Sequence, residues 1–144
     1  MGRVVKNFAD TKYTLWMLLL IFLTTFIVFP GVYEATSLSF LVGVNQAFSW
    51  FILICSTIFN IGDTIGRKLA GYPTFDISIR LLVILSSARV LMIALFFFTA
   101  YQIPPKNLWD ADWFKILDMF VFAFSNGYLS TICSIKAPGT VKAD

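Results

Sequence analysis

An acid and a base stand four residues apart inside an apolar run, in Phe59-Asn60-Ile61-Gly62-Asp63-Thr64-Ile65-Gly66-Arg67. On a helix this spacing brings Asp63 and Arg67 to one face, where they pair with each other or address a ligand together. A second base, Arg89, interrupts another apolar run in Ser86-Ser87-Ala88-Arg89-Val90. A third run carries Phe124-Ser125-Asn126-Gly127-Tyr128-Leu129, followed by Ser130, Thr131, Cys133 and Ser134, a polar stripe where an apolar helix is expected. Such residues suit recognition: a carboxylate accepts hydrogen bonds, a guanidinium donates them, and the Asn126 amide does both. Catalysis has little to work with. The 144 residues contain no His, which removes His acid–base chemistry, the Ser/His and Cys/His nucleophile pairs, and most zinc and haem sites. No metal cluster or phosphate loop is evident, so neither an enzyme nor a cofactor or metal is expected.

The elements that must position these residues follow from composition. Hydrophobic side chains make up 58% of the chain, charged ones 13%, and the mean hydropathy is +0.81. A soluble domain holds roughly 45–50% apolar and about 25% charged residues, so most of this chain is solvated by lipid. Sixteen Phe and four Trp suit lipid-facing and interfacial positions. A bilayer core of about 30 Å needs roughly 20 apolar residues of helix. Four stretches meet that length, at 13–32, 47–72, 80–101 and 113–135. The expected fold is therefore all-α: a multi-pass membrane protein of four antiparallel transmembrane helices, with 1–144 as one membrane unit. Arg3, Lys6 and Lys12 precede the first span, none lies in the first connector, Arg67, Lys68 and Arg80 surround the second, Lys106 and Lys115 lie around the third, and Lys136 and Lys142 lie in the tail. By the positive-inside rule, both termini and the middle connector lie on the cytosolic or equivalent inner side. The formal charge of +3 is thus topological information and implies no nucleic-acid partner. The first apolar run is too long for a cleaved signal sequence, and Lys6 stands where myristoylation would need Ser or Thr.

Depth sharpens the reading of the charges. If the second helix reaches Tyr72, Asp63 lies about 13 Å in from its inner end, and Arg89, counted from Arg80, about 13 Å in on the third helix. A charge at the bilayer centre costs roughly 2.5–3.5 kcal/mol, so a structural ion pair between Asp63 and Arg89 is expected, leaving Arg67 to address a ligand or to snorkel to the interface. Asn126 either contacts a polar solute or bonds a neighbouring helix. Asp118 is expected to be shallow enough to meet outer water. Gly62, Gly66 and Gly127 are helix-packing positions, serving either contacts within the bundle or a second copy. Phe29-Pro30-Gly31 should bend or end the first helix, and Cys55 and Cys133 should pack as small hydrophobes.

Taken together, these residues resemble the C-terminal half of the equilibrative nucleoside transporters. The matching pieces are Phe29-Pro30-Gly31-Val32, Phe59-Asn60 with Asp63 and Gly66-Arg67, Ala88-Arg89, Trp113-Phe114, and Phe124-Ser125-Asn126-Gly127-Tyr128-Leu129, in order and with fitting spacing. The resemblance runs over residues 14–141 and corresponds to the seventh to tenth of the family's eleven helices. It implies facilitative passage of nucleosides or nucleobases through a cavity between two bundles, with Arg67 bonding sugar hydroxyls, Asp63 orienting it or taking part directly, and Asn126 lining the site. Thr64 departs from the family pattern, which has Trp after the Asp. The resemblance also implies an incomplete bundle that needs another membrane protein, or the missing transporter helices, before it moves a substrate. The alternative is a non-transporting accessory or structural subunit of a larger membrane complex, derived from such a transporter.

Overall fold

The computed structural model describes residues 2–32, 38–41, 43–101 and 111–138. Four long helices account for most of them: α1 (Gly2–Phe26), α2 (Ala47–Ala70), α3 (Ile79–Ala100) and α4 (Asp112–Lys136). Each contains a stretch long and apolar enough to cross a membrane. The bounds of α2, α3 and α4 fall within two residues of those read from hydropathy. Helix α1 instead starts at Gly2, so its basic flank at Arg3 and Lys6 is helical too.

Local chemistry sets the ends. The α1 helix opens into a wider turn over Ile27–Val32, in which Phe29 adopts φ −121° and ψ 123°. Phe29 precedes Pro30, and a residue before proline is pushed out of the helical region by the ring, so the expected break falls here. Its side chain is redirected onto α2 and stacks on Phe59 with ring centroids 5.1 Å apart. Helix α2 stops at Ala70, short of Tyr72, where Gly71 is followed by a short 3-10 turn at Pro73–Phe75. Ser78 then caps α3, its hydroxyl accepting from the Leu81 backbone N–H at 3.3 Å.

Helix α4 is the axis of the bundle and its most buried member. Helices α1 and α3 pack against it and against each other, and α2 lies along it more intimately than any other pair. Gly62 meets Ala123, Phe120 and Phe124, while Gly66 meets Phe124 and Tyr128, so residue numbers rise together and α2 runs parallel to α4. Cys133 faces Thr14 and Asn126 faces Thr25, so α1 runs antiparallel to α4. The result is an up-down-up-down arrangement. Its sequence neighbours α2 and α3 share no extended contact among the described residues; α4 separates them.

Two apolar clusters fill the interior. One gathers Val28, Leu38, Leu41, Phe51, Cys55, Phe96, Met119 and Phe122; the other gathers Met17, Ile21, Ala70, Leu82, Leu129, Ile132 and Cys133. The two cysteines are buried in different clusters, as small hydrophobes would be. Lipid-type solvation is plainest on α3. Its polar Ser86, Arg89 and Thr99 are 1%, 2% and 2% exposed, whereas Ile84 and Leu91 are 62% and 73% exposed. A helix in water would turn the other way.

Candidate functional site

Every helix sends at least one polar side chain into the layer between the two clusters. On α1, Thr25 sits between Ile21 of one cluster and Val28 of the other; on α3, Arg89 between Leu82 and Phe96; on α4, Asn126 between Leu129 and Phe122. On α2, Asp63 lies between Ala70 and Cys55. The layer is therefore at mid-height of the bundle, the depth that the residue counts place Asp63 and Arg89.

The site is a chain of hydrogen bonds. Arg67 Nε donates to Asp63 Oδ2 at 2.6 Å, the i,i+4 pair expected on α2. Across the helix interface, Asn126 Nδ2 donates to Asp63 Oδ1 at 2.8 Å. The other end of that amide, Oδ1, is 2.7 Å from the Thr25 hydroxyl, and Arg89 Nη2 donates to the same hydroxyl at 2.9 Å. Arg89 Nη1 donates to the Phe122 carbonyl at 2.9 Å and to the Ser125 hydroxyl, and its guanidinium carbon lies 4.5 Å from the Phe122 ring centroid. Asp63 and Arg89 thus belong to one network, but the expected ion pair is indirect: Asn126 and Thr25 stand between the two charges. The reason is the helix order. With α4 between α2 and α3, Asp63 takes the cation on its own helix and Arg89 turns toward α1 and α4.

Burial grades the site from closed to open. Arg89 and Asn126 are 2% and 3% exposed, whereas the Asp63 and Arg67 side chains are 16% and 50% exposed. One end is sealed inside the bundle, and the other emerges on its flank. The expected packing role of the glycines is met inside the chain, since a Cβ on Gly66 would strike the Phe124 carbonyl and one on Gly127 the Asp63 carbonyl. Those contacts press the backbones together at the level of Asp63 and Asn126 and leave Gly62 and Gly66 turned away from any second copy.

Thr25 carries no distinguishing mark in the sequence, Ser125 stands out there only as part of the polar stripe, and Asp118 differs from its expected position. Thr25 and Ser125 complete the Arg89 shell, yet hydroxyls on apolar helices are common and carry no signal of their own. Asp118 was expected to meet outer water; it is 6% exposed, and its Oδ2 has no hydrogen-bond partner among the described residues. It lies eight residues before Asn126 on the buried face of α4, about 12 Å toward the start of that helix. The i,i+3/i,i+4 spacing of Asp118, Phe122, Ser125, Asn126 and Leu129 was the available sign that Asp118 faces inward.

Four lipid-clad helices around a buried polar layer define an integral multi-pass membrane protein. Comparison with known proteins narrows the class: a family model described as "Nucleoside transporter" matches residues 3–144, and the chain belongs to that family. It is 33% identical over 143 residues to the "Equilibrative nucleoside transporter 2" of Homo sapiens, covering 96% of this chain and 31% of that protein. It is 29% identical over 137 residues to the "Equilibrative nucleotide transporter 2" of Arabidopsis thaliana, covering 94% of this chain and 29% of that protein. With the "Nucleoside transporter 2" of Leishmania donovani it shares 30% identity over 120 residues, 83% of this chain and 21% of that protein. The chain therefore spans less than a third of the length of these relatives. No solved structure matches it.

Proposed function

We propose that this chain forms part of a nucleoside or nucleobase transporter bundle and needs further helices around it to transport. In this reading Asp63, Arg67 and Asn126 meet the polar edge of the substrate, the guanidinium donating to sugar hydroxyls and the carboxylate holding the guanidinium. The observation that carries it is the hydrogen-bonded trio of Asp63, Arg67 and Asn126, which runs from the buried amide at mid-height of the bundle to the flank of α2, where the Asp63 and Arg67 side chains are 16% and 50% exposed. A carboxylate and an amide at that depth are costly against lipid and useful against a polar solute or a cavity wall. Relatives named as nucleoside transporters support the solute class, and their greater length fits a cavity closed by further helices.

The test is transport with and without those helices. Purified alone and reconstituted in liposomes, the chain is expected to show no saturable uptake of labelled adenosine, uridine or hypoxanthine above empty vesicles. Substituted for the matching segment of the human relative, it is expected to support uptake that Arg67→Ala abolishes. Saturable uptake by the chain alone would refute the need for partner helices. A chimaera that reaches the membrane and carries nothing, with this chain copurifying only inside an unrelated complex, would leave the accessory-subunit reading in its place.

A further inference from the structure

The hydroxyl of Thr25 sits at the one point where the sealed half of the polar layer meets the half that opens on the flank. Three partners surround it: Arg89 Nη2 at 2.9 Å, Asn126 Oδ1 at 2.7 Å and the Ile21 carbonyl at 2.9 Å. A guanidinium only donates, so Arg89 occupies an oxygen lone pair and leaves the single hydroxyl proton for Asn126 or for Ile21. The amide decides between them. Asp63 as a carboxylate only accepts, so Asn126 must turn its NH2 toward Asp63 and its oxygen toward Thr25. That oxygen requires a donor, and the Thr25 proton supplies it. The hydrogen bonds then run in one direction, from Arg89 to Thr25 to Asn126 to Asp63, where they meet the bond from Arg67. Bonds aligned in this way polarise one another in a low-dielectric interior.

We infer that Thr25 is a positioning residue for the candidate substrate site: it passes the hydrogen bond of Arg89 on to Asn126 and so holds the amide with its NH2 on Asp63. Without that hydroxyl, Asn126 loses the donor to its oxygen, the amide is free to turn, and one of the two groups steering the Asp63 carboxylate is lost. Arg67 then retains the carboxylate alone, in a geometry no longer referred to α1 and α4. The consequence for a substrate rests on the function proposed above; the relay itself does not.

The experiment reads the amide directly. The full chain, 15N-labelled at asparagine side chains and held in lipid nanodiscs, gives an Asn126 NH2 signal that is identified by its disappearance in Asn126→Ser. In Thr25→Val, which keeps the shape and deletes the hydroxyl, hydrogen exchange of that NH2 is expected to rise roughly tenfold, the factor that goes with losing one hydrogen bond. In Thr25→Ser, which keeps the hydroxyl and deletes a methyl, it is expected to stay within about twofold of the parent. A packing role for Thr25 predicts the reverse order, since Val fills the site and Ser leaves a gap. Slow exchange in Thr25→Val, or equal exchange in both variants, overturns the relay. Should Thr25→Val fail to fold, Thr25→Cys, a weak donor of similar size, is expected to fall between the two, and exchange at the parent level there overturns it equally. No nucleoside enters this measurement, so failed transport by the chimaera would count against the proposed function and not against the relay.

Discussion

Arg89 satisfies three acceptors on two neighbouring helices with one planar group: Thr25 from Nη2, and the Phe122 carbonyl and Ser125 hydroxyl from Nη1. Lysine has the charge without the fork, and its single nitrogen cannot span both sides of the guanidinium. Arg89→Lys is therefore expected to destabilise the bundle by about 1–3 kcal/mol, the cost of leaving a buried polar group unmatched. Thermal unfolding in mild detergent measures this, and a midpoint equal to that of the parent would show that charge alone suffices. The convergence of Asp63, Arg67 and Asn126 was legible from the sequence, because charges and amides inside apolar runs must turn inward. The link between Asp63 and Arg89 was legible only as a shared depth. A residue count along each helix gives height but not azimuth, and azimuth here depends on α4 wedging between α2 and α3. For Asp118 the failure was of another kind: nearness to a helix end suggested water, while its helical face placed it inside.

Among the elements, the contact of α2 with α4 rests on glycine, and substitution there separates backbone from backbone. A methyl at Gly66 meets the Phe124 carbonyl and the Tyr128 amide, and neither retreats without moving α4. Gly66→Ala is expected to cost at least the about 1–3 kcal/mol typical of overpacking, and to pull Asp63 away from Asn126 along with the helix. Gly31, which has nothing within 4 Å of a built Cβ, is the control: Gly31→Ala should lie within about 0.5 kcal/mol of the parent. Comparing the two variants by thermal unfolding separates interface packing from the general effect of an added methyl. Equal midpoints for both would mean that the helices are farther apart in the membrane than here. Span limits were readable because bilayer thickness fixes helix length; helix order was not, since lipid is as apolar as the helix surfaces and leaves no trace in hydropathy of which face meets which neighbour.

For the molecule as a whole, we propose from the distribution of charge which end faces the cell interior. Lys136 at the end of α4 pairs with Asp76 of the α2–α3 connector at 2.7 Å, and the Tyr128 hydroxyl donates to the Phe75 carbonyl, so the α4 terminus and that connector share one end of the bundle. Arg67, Lys68 and Arg80 lie toward the same end, and the α1 start with Arg3 and Lys6 points there as well because α1 is antiparallel to α4. A cluster of this sign supports placing that end on the inner side, since moving Lys and Arg across the bilayer is what the positive-inside bias disfavours. Single cysteines replacing Ser37 and Asn107, which follow α1 and α3 in the sequence and lie outside the described residues, are therefore expected to react with a membrane-impermeant thiol reagent applied to intact cells or right-side-out vesicles. Replacements at Lys6 and Lys142 should react only after permeabilisation. The background is low, as Cys55 and Cys133 are 2% and 0% exposed within the bundle. Labelling of Lys6→Cys or Lys142→Cys from outside, with Ser37→Cys protected, would invert the protein and turn the half-exposed Arg67 toward the opposite side of the membrane.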